Sequence, residues 1–215
     1  MPVIFAEDFG TVSIQRVGGR NGLNWRGWGI GAAAMCGYSE PVSETEWEGQ
    51  FRAAYDRAAD AWSRGGRTPA EVVAPIDHPF LASIGCSAQE LFDFVEDRLA
   101  VGEPDFETVL AVQAIRRDYF LREMHGKPTG RVGSSAALPA KDSAVEGIPW
   151  LPRIIAKARL KLQGEMPPEV MYGCGGDRAF LRRVHLTIPQ FLKIVREAGN
   201  DDRKILDTVR RWSRV

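Results

Sequence analysis

Apolar positions recur at helical spacing along most of this chain. Trp47, Phe51, Ala54, Tyr55, Ala58 and Trp62 share one face of a helix that opens behind the capping box Ser43-x-x-Glu46 and stops at Gly65-Gly66. Asp77 is placed to cap a short helix holding Pro79, Phe80 and Leu81. Ser87-x-x-Glu90 opens another with Leu91, Phe94, Val95 and Leu99, and Asp105 starts one that reaches about Met124. The stripe returns as Leu151, Ile154, Ile155, Ala158 and Leu162 until Gly164. A loop follows from Pro167-Pro168 through Tyr172-Gly173-Cys174-Gly175-Gly176-Asp177. Thr187-x-x-Gln190 then caps a helix with Phe191, Leu192 and Val195, and Asp201-Asp202 open a last one through Ile205, Leu206, Val209 and Trp212. This pattern predicts a mainly α fold.

Two stretches interrupt it. Residues 1–42 hold eight of the 22 glycines, with brief alternation at Val3-Ile4-Phe5 and Thr11-Val12-Ser13-Ile14 that suits short strands. Residues 126–147 are rich in Gly, Ser, Ala and Pro without any period and read as a linker. The chain therefore divides into a glycine-rich segment (1–42), helical unit one (43–125), the linker, and helical unit two (148–215), the two units forming one domain.

A constant shift of 100 residues lays Asp77 on Asp177, Phe80 on Phe180, Leu81 on Leu181, Ile84 on Val184 and Val95 on Val195, and brings the two capping boxes together. Each unit alone has too few helices to close a core. The expectation is two tandem repeats packed about a pseudo-two-fold, with function between them.

Charge refines this picture. The 28 basic and 28 acidic residues cancel over the chain, which gives no electrostatic case for nucleic acid or an anionic membrane as partner. Residues 151–215 nevertheless carry 14 Lys and Arg against seven Asp and Glu, a balance of +7 that leaves −7 on residues 1–150. The halves either pair with each other or form an anion-binding cleft on the basic side. Glu7 and Asp8 stand where a secretory signal needs positive charge, and Ile30–Cys36 falls far short of the roughly 20 apolar residues that span a bilayer. Cys36, Cys86 and Cys174 are odd in number and contain no CxxC pair. The reading is a reduced, cytoplasmic protein with no metal site, no cofactor, and room for a homo-oligomer.

Ile148-Pro149-Trp150-Leu151-Pro152-Arg153, the Lys157-Ala158-Arg159 run, Tyr172-Gly173-Cys174-Gly175-Gly176-Asp177 and Phe180-Leu181 together resemble the bacterial domain-of-unknown-function family numbered 5069. That pattern has a Pro-Arg helix, a Tyr-x-Cys-x-x-Asp loop, a Phe-Leu pair and an acidic cap before an apolar-Trp helix. The likeness covers unit two, reaches unit one only through the repeat, and leaves residues 1–42 aside. Gly175 departs from the Pro that commonly follows the Cys in that family. The resemblance implies a bacterial soluble protein and no particular activity.

The loop from Tyr172 to Asp177 joins a phenol, a thiol and a carboxylate to three glycines whose N–H groups a ligand can approach. Tyr172, Cys174 and Asp177 are the candidate catalytic groups, although Asp177 also suits a helix cap. Anchoring Glu71 on Glu169 puts Ala74 and Ile76 opposite Tyr172 and Cys174, so unit one lacks both groups. His78 is the best-placed imidazole for acid–base work, while His125 ends a helix and His185 lies at a turn. Arg153, Lys157 and Arg178 would hold negative charge. Gly29-x-Gly31-x-x-Ala34 follows no buried strand and makes no dinucleotide site, and Trp25 and Trp28 fit loop clamps. These residues suit an enzyme acting by acid–base or nucleophilic chemistry on a small polar or anionic metabolite, with lyase, isomerase and hydrolase types equally open. A non-catalytic ligand-binding or interaction module is the alternative.

Overall fold

The computed structural model describes residues 44–213. Helices α1 (Glu44–Ser63), α2 (Pro69–Val72), α3 (His78–Ser83), α4 (Ala88–Val101) and α5 (Phe106–Arg122) make unit one. A hairpin of β1 (Ala144–Val145) and β2 (Ile148–Pro149) leads into α6 (Leu151–Gln163), α7 (Gly175–Arg183), α8 (Ile188–Ala198) and α9 (Asp202–Trp212). The fold is mainly α, and none of the described helices is long and apolar enough to cross a membrane.

The capping boxes set the helix starts as the sequence implies. Ser87 Oγ accepts from Glu90 N at 3.1 Å while Glu90 accepts from Ser87 N at 2.9 Å, and Thr187 with Gln190 repeats the arrangement. Within unit one α1 packs on α4, with α2 against both; within unit two α8 packs on α6 and α9. Helix α5 joins the units by lying against α6 and α8. Its first residue, Phe106, is seated edge-on to Tyr55 of α1 with ring centres 5.0 Å apart. The apolar faces merge into one core that includes Phe51, Leu91, Leu151, Ile154, Phe191 and Leu192.

Positions 100 residues apart share local geometry. Arg57 binds Asp77 and Lys157 binds Asp177. Gly85 and His185 both adopt left-handed backbone, at φ 67° and 55°, where Cys86 N and Leu186 N bond back to the carbonyls of Leu81 and Leu181. Val95 and Val195 are sealed at 0% and 1% exposure, whereas Phe80 is half-buried and Phe180 buried.

Ion pairs across the units run consistently from acids of unit one to bases of unit two. Glu90 meets Lys161 at 2.7 Å, Asp97 meets Arg178 at 2.7 Å, Glu103 meets Arg182 at 3.1 Å, and Asp118 and Glu123 meet Arg196 at 2.6 and 2.9 Å. The charge asymmetry is therefore used in part to join the halves.

Two expectations need correction. Asp77 makes no capping bond; it closes a 3-10 turn at Pro75–Asp77, and its carboxylate is occupied by the Arg57 guanidinium. The linker is not structureless throughout, since its last residues fold into the hairpin. Glu146 and Gly147, at φ 46° and 81°, form the left-handed turn such a two-residue connection requires. Strands of two residues are too short to register as alternation. The segment 1–42, with its expected strands, Trp25, Trp28 and Cys36, and the capping Ser43 lie outside the described residues.

Candidate functional site

Helix α7 begins at the glycine loop. Cys174 is its N-cap, in extended backbone and without a side-chain capping bond, and Gly175 and Gly176 form the first turn. Gly176 has to be glycine because a Cβ there would lie 2.5 Å from the Trp150 ring. Trp150 itself caps α6 at φ 71°, a strained conformation for an aromatic residue, fixed by the hairpin bond from Trp150 N to Ser143 O at 3.1 Å.

That placement organises a sealed carboxylate. Asp177 is 0% exposed; its Oδ1 accepts from Trp150 Nε1 at 2.9 Å, and its Oδ2 accepts from Gly173 N at 2.9 Å and from the Lys157 ammonium. Asp177 thus lies inside the first turn of α7 and is not the N-cap that the sequence suggests. Lys157, projecting from α6, is buried as well and donates to Cys174 Sγ at 3.2 Å. A lysine buried this deeply needs a carboxylate beside it, and Asp177 is that partner.

Cys174 and Lys157 open on one side into a groove of about 580 Å³. Helix α4 supplies one wall through Gln89, Phe92, Asp93, Glu96 and Asp97. Trp150, Arg153, Lys157, Cys174 and Gly176 form the other, with Lys141 and residues 168–171 completing it. The Arg153 guanidinium donates to Pro139 O at 2.7 Å.

The structure separates the residues the sequence grouped. Cys174, Lys157 and Arg153 line the groove. Tyr172 does not: it is 2% exposed, its hydroxyl donates to Ile188 O at 2.9 Å, and burial with the nearby Asp177 charge pushes the phenol well above its ordinary range. Arg178 is also withdrawn from the groove. It is held by Asp97, by Gly173 O at 2.8 Å, and by the Glu103 carboxylate 3.0 Å from Nε without the alignment of a hydrogen bond. His78 is exposed at the start of α3, away from the groove lining. His125 and His185 are exposed with left-handed backbone, as expected of turn residues.

Asp93 was missed. Burial raises its carboxyl to about 6, against the hydrogen bond from Gln89 at 2.7 Å and the Lys161 charge, which act the other way. A signal for it exists: residues 89, 92, 93, 96 and 97 follow helical spacing and carry Gln, Phe and three acids beside the apolar face of 91, 94 and 95. Under this wall the buried Glu90–Lys161 pair borders a cavity of about 30 Å³, room for one water. Cys86 is pushed up to about 12 by burial and the Glu90 charge, which makes it an inert thiol. Among the described residues no three His, Cys, Asp or Glu side chains converge as metal ligands.

Residues 137–215 match the family model described as Domain of unknown function (DUF5069). The match takes in the hairpin, α6 to α9 and the Lys157–Cys174–Asp177 cluster, and it leaves out the α4 wall. Neither the curated proteins nor the solved structures contain a match to this chain.

Proposed function

We propose that the groove is the active site of an enzyme that uses acid–base or nucleophilic chemistry on a small polar metabolite. The carrying observation is the contact of Lys157 Nζ with Cys174 Sγ, 3.2 Å apart at the wall of a groove of small-molecule size. The hydrogen bond from Lys157 and the N-cap position at the start of α7 fix that sulfur at the groove wall, where a thiol can meet a bound ligand. Asp93, with its carboxyl near 6, is suited to carry a proton at the opposite wall. Asp177 and Trp150 fix Lys157 in place and act as positioning residues. The shared geometry of positions 100 apart supports reading the two units as a duplicated scaffold whose second copy acquired the cysteine.

Iodoacetamide labelling resolved by mass spectrometry tests the nucleophile. Cys174 should be alkylated well before Cys86, and the double variant Lys157→Met/Asp177→Asn, shown to be folded by circular dichroism, should slow the reaction at Cys174. A metabolite screen by thermal shift and mass spectrometry then supplies a substrate, for which Cys174→Ala and Asp93→Asn should each lower kcat while the proteins stay folded by circular dichroism. Full turnover in both variants would overturn these residue roles, and a bound metabolite that the parent protein never converts would leave only the binding-module reading.

A further inference from the structure

The groove walls differ in charge, and their existing partners show what each has left to offer. On α4, Asp97 is neutralised by Arg178, but Asp93 and Glu96 have no basic partner within salt-bridge distance among the described residues. Asp93 receives only the Gln89 amide. This wall therefore presents uncompensated acid to the space in front of it.

The facing wall offers donors. The Lys157 side chain is 3% exposed and carries three N–H groups, of which Asp177 and Cys174 take two. The third belongs to a buried ammonium that lines the groove, and among the described side chains and carbonyls it has no acceptor. A buried donor of this kind needs a partner. Arg153, on the same wall, bonds a carbonyl and no carboxylate. The first-turn N–H groups of α7, at Gly175 and Gly176, take no side-chain cap. Donors thus converge on one side of a cavity whose other side holds acid.

We infer that the ligand of this groove is a small zwitterion, its acid group held by Lys157 and Arg153 and its ammonium held against Asp93 and Glu96. This rests on that part of the proposed function which makes the groove the ligand site, and it narrows the ligand class: an amine is required together with the anionic group. A purely anionic ligand would meet the α4 carboxylates at close range, and a purely cationic one would leave the Lys157 proton unpaired.

Three probes of equal carbon count test it: 5-aminovalerate, valerate and pentylamine. Binding to the full-length protein is read by ligand-observed NMR titration, which needs no reactive thiol. The expected result is that 5-aminovalerate binds at least tenfold more tightly than either single-charge analogue. Arg153→Gln should bring its affinity toward that of pentylamine, and Glu96→Gln toward that of valerate. Both substitutions are at groove positions outside the core, and circular dichroism confirms that each variant folds. Equal binding of valerate and 5-aminovalerate, or no binding of the zwitterion, overturns the inference. Iodoacetamide labelling of Cys174 on the same samples reports separately on the nucleophile, so a zwitterion preference with an inert thiol removes the catalytic reading and leaves this one standing.

Discussion

The Lys157–Asp177 pair shows how one residue's environment decides whether its charge is tolerable. Both groups are buried, and their stability as ions depends on each other and on the Trp150 and Gly173 donors. Lys157→Met should therefore destabilise the protein by about 3–5 kcal/mol in denaturant melts, since it strands a buried carboxylate. Adding Asp177→Asn should recover part of that loss. Asp93 follows the opposite logic. Its carboxyl rises from 3.8 to about 6 because burial disfavours the charge, so the folded state binds its proton more tightly than the unfolded chain does. Its contribution to stability is full below about pH 4 and declines as pH rises to about 6. Asp93→Asn should remove this decline, and the gain over the parent should grow across that window. Gln89, Glu90, Glu96 and Lys161 are the groups that surround it, and none is altered by the substitution. A variant whose stability tracks the parent at every pH would refute the assignment.

At the scale of elements, the start of α7 depends on which glycine is asked. Gly176→Ala places a Cβ against a rigid indole and should destabilise the protein, reversing the usual gain for alanine in a helix. At Gly175 the nearest atom is the Arg178 guanidinium at 3.8 Å, and Gly175→Ala should be neutral or stabilising by up to about 1 kcal/mol. Thermal melts of the two variants separate these outcomes. Helix starts at Ser87, Asp105, Thr187 and Asp201 were legible because a cap is a local exchange of bonds that three or four residues specify. The same local logic failed at Asp77 and Asp177: each has the right spacing for a cap, and each is claimed by a cation from a helix 20 residues earlier. No window short enough to show a cap includes that partner. The groove was half legible for the same reason. Cys174, Lys157 and Arg153 belong to adjoining elements of one unit, while Asp93 comes from a helix whose position is set by α1, α2 and the cross-unit pairs.

For the whole molecule, the opposite charges of the two halves predicted either a cleft or mutual pairing, and the ion pairs from Glu90, Asp97, Glu103, Asp118 and Glu123 show that pairing takes a large share. The connection between the halves is open by comparison: residues 126–132 are exposed, and the Arg131 side chain is exposed despite its pair with Glu165. Limited trypsin digestion should cut after Arg131, and the two products should remain together in gel filtration, held by α5 against α6 and α8. Separation of the products would mean that the covalent link, and not the interface, holds the units in register.

The paired bridges at Arg57–Asp77 and Lys157–Asp177 also make the chain a calibrated instrument. Both carboxylates are buried, but one bridge has its cation side chain 49% exposed and the other only 3%, so the same spacing is sampled once with its cation in contact with water and once sealed on both sides. Asp77→Asn should cost about 1–2 kcal/mol, because the carboxylate is buried while Arg57 stays free to find water, and raising the salt concentration should lower that cost. Asp177→Asn should change it several-fold more and respond little to salt. The difference between the two, measured in one polypeptide under one set of conditions, reports what sealing the cation adds at one sequence distance, together with the change from Arg to Lys and the extra Trp150 and Gly173 donors.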